Sequence, residues 1–159
     1  MIIRLAERTD RSGLLALASE VEHWFGPMVK EPGFHRAVDE HIRDRRALVA
    51  VSAGGEVAGG LLLGVEGAVL HIHWLVVSER IRGTGAGRAL MGEAMSGFGS
   101  GADPVEVVTF GADHPGAVAS GARVFYERLG FTPAEAAEPG PEGGSRQVFR
   151  LRTPAGGAS

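Results

Sequence analysis

Hydrophobic residues along this chain switch repeatedly between helical and strand spacing. Ile2 to Ala6 reads as a short strand. Beyond Thr9-Asp10, a pair able to cap a helix, Leu14, Leu17, Ala18, Val21 and Phe25 recur three and four apart until Gly26-Pro27 stops the run. Gly33 to Arg46 is rich in charge, with Phe34, Val38 and Ile42 four apart, and Arg43-Asp44-Arg45-Arg46 reads as its solvated end. The chain then turns apolar and β-rich: Ala47 to Ser52, a turn at Gly54-Gly55, Val57 to Val65, a turn at Glu66-Gly67, and Ala68 to Val77. These three segments predict an antiparallel meander.

Past Val77 the order becomes glycine loop, helix, strand, helix. Ala86, Leu90, Ala94 and Phe98 make one helical face, and Val105 to Phe110 is a buried β-rich run. Asp113-His114-Pro115 offers a cap and a first-turn proline for a helix carrying Val118, Ala122, Phe125 and Leu129 on one stripe, closed by Gly130. Phe131 onward and Ser145 to Arg152 would form a last hairpin. Its connection, Pro133 to Gly144, holds three glutamates and no base, which predicts a mobile loop. Thr153 to Ser159 is expected to be a disordered tail. With no repeat and no linker, residues 1–152 are expected to form one domain of mixed α/β class, a mixed sheet flanked by helices.

Composition narrows the chemistry. At 159 residues, 44% of them hydrophobic, the chain is long enough to bury a core without staples. It has no cysteine, which removes disulfides, thiolate zinc sites and a thiol nucleophile; no metal is expected. Sixteen Lys and Arg against nineteen Asp and Glu give a net charge of −3, unlike a nucleic-acid binder. Stretches free of charge, such as Gly67 to Ser78, fall short of the roughly 18 residues of a membrane span. The start lacks the layout of a signal peptide, so a cytoplasmic protein is expected.

The most informative segment is Val76-Val77-Ser78-Glu79-Arg80-Ile81-Arg82-Gly83-Thr84-Gly85-Ala86-Gly87-Arg88, between a strand and a helix. Glycines there let a backbone approach a ligand, and free N–H groups at a helix start suit an anion such as a pyrophosphate. A phosphate-binding Walker loop would need Gly-Lys-Ser/Thr, which is absent, and a dinucleotide fingerprint would need glycine where Arg88 stands. The spacing Arg82-x-x-Gly85-x-Gly87, with Leu75-x-Val77 upstream, resembles the acyl-CoA loop of the GNAT (Gcn5-related N-acetyltransferase) superfamily. Phe125-Tyr126-Glu127-Arg128-Leu129-Gly130-Phe131 is similar to that family's F-Y-x-x-x-G-F pattern on a later helix.

The resemblance implies the GNAT fold and acetyl-CoA as co-substrate. Backbone groups of Leu75, Val76 and Val77 would hold the pantetheine arm, an amide near Val76 polarising the thioester carbonyl. The amides of Gly83, Thr84, Gly85, Ala86, Gly87 and Arg88 would hold the pyrophosphate, with charge from Arg82 and Arg88. Ala119 stands where many members carry Asn, and Ser120 is its candidate substitute. Tyr126, the only tyrosine, would be the acid toward the departing thiolate.

His71 and His73 lie two apart on the strand entering this loop and share one face, while Leu70, Ile72, Trp74 and Val76 would share the buried one. An alkylammonium with a pKa of about 10.4 must lose a proton before it attacks, and imidazole, near about 6.5, can take it. His-x-His at this distance from Val77 and Arg82 resembles the arylalkylamine N-acetyltransferases. Trp24, Phe25 and Phe34, beside His23 and Met28, are candidates for an amine pocket. The expected function is acetyl transfer by direct attack of a primary amine, in the first instance a small molecule. The alternatives are a protein N-terminal or lysine acetyltransferase, for which Glu20, Glu22, Glu135, Glu138 and Glu142 would line an acidic groove, or a non-catalytic acyl-CoA-binding domain. The partners are then acetyl-CoA and an amine acceptor, without nucleic acid or membrane, and a homodimer is allowed for.

Overall fold

The structure, a computed structural model, describes residues 1–98, 103–140 and 142–152; the tail expected at Thr153 to Ser159 lies outside them. Seven strands form one sheet: β1 (Ile2–Leu5), β2 (Ala47–Val51), β3 (Val57–Glu66), β4 (Val69–Val77), β5 (Val105–Phe110), β6 (Thr132–Ala137) and β7 (Arg146–Leu151). The described helices are α1 (Arg11–Phe25), α2 (Pro32–Arg43), α3 (Ala86–Phe98), α4 (Pro115–Ser120) and α5 (Ala122–Arg128). The strand order is β1-β2-β3-β4-β5-β7-β6. All neighbours run antiparallel except β4 and β5, which are parallel. That reversal follows from α3, which carries the chain from the end of β4 back to the start of β5. The sheet is therefore mixed and flanked by helices, as the sequence leads one to expect.

Each face of the sheet buries its own apolar cluster. On one side Leu90, Met91 and Ala94 of α3 and Tyr126 of α5 pack on Leu61, Leu63, Leu70, Ile72, Val105 and Val107. On the other, Leu14, Leu17 and Val21 of α1 and Val38 and Ile42 of α2 cover Val49, Leu62 and Val76. The helical stripes at Leu14 to Val21 and at Ala86 to Ala94 are thus the buried faces of α1 and α3.

Three expectations are corrected. The helix anticipated after Pro115 is two helices, broken at Gly121, whose φ of 69° is left-handed. The break turns Val118 out to 88% exposure, so the stripe begins at Ala122. β6 occupies Thr132–Ala137 and so takes Pro133 to Ala137 out of the expected mobile loop by pairing with β7. Asp10 does not cap forward. Its carboxylate accepts a bidentate pair from Arg4 at 2.7 and 3.1 Å and a third bond from the Glu7 amide at 2.7 Å.

This buried carboxylate fixes the entry of α1, the helix that carries one wall of the site. The Arg4 bonds hold its pKa below the usual value. Its contribution is thus present above the unfolded carboxylate pKa of about 3.9 and is lost as pH falls through the lower folded value. Asp10→Ala is expected to lower the unfolding free energy by about 1–3 kcal/mol, since it removes the acceptor of three hydrogen bonds, two of them charge-assisted from Arg4. Urea midpoints at constant slope measure this; an unchanged midpoint would remove Asp10 from the structural account.

Candidate active site

A bulge in β4 builds the site. Leu62 pairs with Trp74 but Leu63 pairs with Ile72, so His73 is an extra residue with no partner on β3. One added residue exchanges the two faces of the strand. Leu70 and Ile72 join the α3 cluster, whereas Trp74 and Val76 join the α1 cluster and Leu75 and Val77 take over the α3 side. The expected common face of Leu70, Ile72, Trp74 and Val76 is therefore split at His73.

Parallel pairing of β4 with β5 runs only from Leu70 to Ile72, opposite Val105 to Val107, and the strands part beyond the bulge. Into the gap opens a cavity of about 650 Å³. Ser78 N–H donates to Ala58 C=O, so antiparallel alternation commits the peptide groups of Val76 to β3 and turns those of Leu75 and Val77 toward the cleft. The polarising amide expected near Val76 thus moves to its neighbours.

The floor of the cavity is the glycine loop. After a 3-10 turn at Glu79–Ile81, Gly83 and Gly85 adopt φ of 83° and 91°, with open space where a Cβ would stand. The first helical bond of α3 runs from Ala89 N–H to Gly85 C=O, which leaves the amides of Ala86, Gly87 and Arg88 without intrahelical acceptors. Arg82, Gly83, Gly85, Ala86, Gly87 and Arg88 all line the cavity. Thr84 does not: its hydroxyl turns back to donate to Ile81 C=O. A Cβ on Gly87 would stand 3.1 Å from the Phe125 ring, so that glycine lets α3 and α5 close on one another.

The walls are aromatic. Trp24 and Phe25 line one side with Phe110, on which Phe25 stacks at 4.6 Å and Trp24 stands edge-on at 6.5 Å. The Arg82 guanidinium lies 5.5 Å over the Trp24 ring, joining α1 to the loop. Phe34 is elsewhere, packed 5.8 Å from Trp74 within the α1–α2 cluster. On the opposite wall Ser120, Gly121, Ala122 and Tyr126 face the cavity. The Ser120 hydroxyl donates to Gly116 C=O and accepts from Ala122 N–H across the helix break. Tyr126 is 6% exposed among Phe125, Phe131 and Phe149, and burial raises its phenol pKa. Arg123 pins α5 by donating to Phe110 C=O at 3.0 Å and to the Gln147 side chain at 2.7 Å. Sequence reasoning passes over Phe110 and Val21, whose only signal is membership of apolar runs.

His71 and His73 do share a face, their rings near-parallel at 6.3 Å, but neither lines the cavity. His71 lies 3.6 Å from Glu66 and 3.8 Å from Glu106, and Glu106 in turn binds Arg150 at 2.6 Å. His73 stands against α2, 2.9 Å from His41. Burial, then the charges of His41 and His71, hold the His73 pKa below its ordinary value of 6.5. Among the described residues no group of three or more His, Asp or Glu is placed to hold a metal ion, and no helix is long and apolar enough to cross a membrane.

Residues 43–133 match the acetyltransferase (GNAT) domain family, a span running from the end of α2 through β4, the glycine loop and α5. The chain belongs to the GNAT acetyltransferases. No curated protein matches the sequence. Among solved structures it is similar to Ard1 from Thermoplasma volcanium (TM-score 0.75, 19% identity, 95% of this chain and 96% of that one). It is also similar to a ribosomal-protein-alanine N-acetyltransferase from Brucella melitensis (TM-score 0.73, 19% identity, 96% and 99%). A third is the PaiA N-acetyltransferase from Thermoplasma acidophilum, solved with coenzyme A (TM-score 0.72, 15% identity, 95% and 98%). At these identities the likeness is one of fold, and their acceptors stay with those proteins. For a GNAT enzyme the cleft between β4 and β5, with peptide groups of Leu75 and Val77 turned into it, Val77 C=O accepting from Arg82 Nε at 3.4 Å, and unbonded amides at its floor, fits the extended arm of an acyl-CoA with its pyrophosphate on the floor.

Proposed function

We propose that this GNAT acetyltransferase moves the acetyl group of acetyl-CoA to the primary amine of a small molecule by direct attack. The observation that carries the reading is one continuous cavity that joins the glycine loop, the free edge of β4, the aromatic wall and Tyr126. Acetyl-CoA supplies an acyl group already activated as a thioester. The chain's own residues bind and orient. Amides of Ala86, Gly87 and Arg88 hold the pyrophosphate, Arg82 and Arg88 add charge, and peptide groups of Leu75 and Val77 align the arm and polarise the carbonyl. With no thiol in the chain, no cysteine acyl-enzyme intervenes.

Tyr126 donates a hydrogen bond to the departing sulfur. Burial keeps its phenol protonated, and the thiolate, near about 8.5 if it resembles cysteine, is the weaker base. Full proton transfer is therefore uphill, and Tyr126 works as a donor to developing charge. His73 and His71 accept the proton of the incoming ammonium, through water because they stand off the cavity wall. Trp24, Phe25 and Phe110 favour an acceptor with an apolar body.

Against a protein acceptor we weigh the local partners of four of the five glutamates that would line an acidic groove. Glu22 accepts from the Met28 and Val29 amides, Glu20 from the Glu79 amide, Glu135 pairs with Arg150 and Glu142 with His114. Glu20 and Glu22 lie on α1, Glu135 on β6 and Glu142 beyond it, and each of these four has its own partner.

Because His73 titrates below 6.5, kcat/KM should rise with pH along an acid limb whose midpoint lies under that value. His71→Ala with His73→Ala should abolish that limb and leave only the titration of the amine itself. An unchanged profile would reduce both histidines to packing. Acetyl-CoA-dependent thiol release across arylalkylamines, polyamines, aminoglycosides, amino acids and short peptides tests the reading as a whole. Acceleration by arylalkylamines is the expected result, and acceleration by peptides alone would overturn the small-molecule acceptor.

A further inference from the structure

Among the histidines, His41 has a geometry that fixes where the protons of a second ring must lie. It sits in the last turn of α2, and its Nδ1 is 2.6 Å from the carbonyl oxygen of Ala37, one turn back. A carbonyl only accepts, so His41 carries its hydrogen on Nδ1. In the neutral ring Nε2 is then a bare acceptor. That Nε2 stands 2.9 Å from Nδ1 of His73. His73 must therefore bring the hydrogen to this contact on its own Nδ1, which leaves its Nε2 unprotonated.

Nε2 of His73 is turned toward β3. It lies over Gly64 on β3, where an added Cβ would stand 2.9 Å from Nε2 and 2.5 Å from Cε1. Glycine at 64 is the seat that lets an imidazole lie flat on the sheet beside the bulge. The groups facing His73 are His41 from α2, His71 on its own strand and Glu66 at the end of β3.

We infer that His41 is a positioning residue: through the chain Ala37 carbonyl, His41, His73 it locks His73 in the Nδ1–H form and leaves Nε2 as the site that accepts the acceptor's proton. This rests on the proposed role of His73 as base. When Nε2 takes a proton, the ring becomes an imidazolium. Its Nδ1–H bond to His41 then persists and spreads the charge toward the C-terminal end of α2, where the helix dipole favours a cation. The proton leaves from Nε2 to water, and the pair returns to its starting form. His41 itself neither gains nor loses a hydrogen, the part a buried acceptor plays behind a catalytic histidine elsewhere.

The test reads the tautomer directly. In protein labelled with 15N at histidine, two-bond proton–nitrogen correlation spectra above pH 7.5 should show His73 as the Nδ1–H form. In His41→Ala it should revert to a mixture dominated by the Nε2–H form. His41→Gln, whose carbonyl can still accept from Nδ1–H, should restore the wild-type pattern. Turnover should fall about tenfold in His41→Ala, return to within about threefold in His41→Gln, and leave the acetyl-CoA KM unmoved. A wild-type His73 in the Nε2–H form, or an Nδ1–H form that survives His41→Ala, overturns the inference. A tautomer that shifts as expected while turnover stays constant in His41→Ala and His73→Ala alike upholds the lock and overturns His73 as base, so the two failures are told apart.

Discussion

Tyr126→Phe should lower kcat by about 10²-fold while leaving the acetyl-CoA dissociation constant within a factor of two. The magnitude is that of removing one preorganised donor from developing negative charge. The hydroxyl is the only atom lost, and the ring keeps its edge-on contacts with Phe125 and Phe131 at 5.1 and 5.6 Å, so stability should hardly change. Since burial keeps the phenol protonated, wild-type kcat should show no alkaline limb that vanishes in the variant. Steady-state rates beside calorimetric titration with coenzyme A separate the two quantities. Equal loss of binding and turnover would reassign Tyr126 to holding the arm, and loss of neither would return it to the core.

Gly85→Val acts on the other end of the cavity. At φ 91° a β-branched residue is strained by about 1–3 kcal/mol, and the loop relieves it by moving. What moves is the set of amides at the start of α3, so affinity for acetyl-CoA should fall about 5- to 150-fold, the same energy expressed as binding. Nothing stands within 4 Å of the Cβ position, so collision with the protein is not the cause. Gly87→Ala separates the mechanisms. Its methyl group would press on Phe125 at 3.1 Å, loosening α3 from α5, and should cost thermal stability more than affinity. Calorimetry and thermal melts on both variants check this; wild-type affinity in Gly85→Val would remove the loop from the binding account.

The elements were legible wherever one face of a helix or strand is buried. Leu14, Leu17, Ala18 and Val21 show why: a face packed on a sheet needs an apolar residue every three or four positions, and the spacing records it. The glycine loop was legible for a similar reason, since positive φ at Gly83 and Gly85 calls for a residue type that can be read. The surroundings of the histidines were not. A bulge inserts one residue without changing composition, so nothing in His71-Ile72-His73-Trp74 announces that the faces exchange at His73. Phe34 has the same spacing as a wall residue, and only the approach of α2 to Trp74 decides its place. The break at Gly121 had a candidate in its glycine, but a glycine within a helical stripe is ambiguous until its φ is known. His41, thirty-two residues from its partner, is invisible to any local pattern.

The short parallel seam between β4 and β5 has a last consequence. Only three register positions join the meander of β1 to β4 with the β5–β7–β6 unit, against eight between β3 and β4 and six between β5 and β7. The seam is thus short, extended only at its far end by the bonds from Asp103 N–H to Ala68 C=O and from Leu70 N–H to Pro104 C=O, and its other end is the cleft. A ligand that bonds the peptide groups turned into the cleft would add rungs where the seam stops. Occupancy and cohesion are then a single thermodynamic quantity, and the melting temperature of this protein becomes a function of its metabolite concentration. In a cell, depletion of the acyl donor would lower the abundance of the enzyme along with its rate.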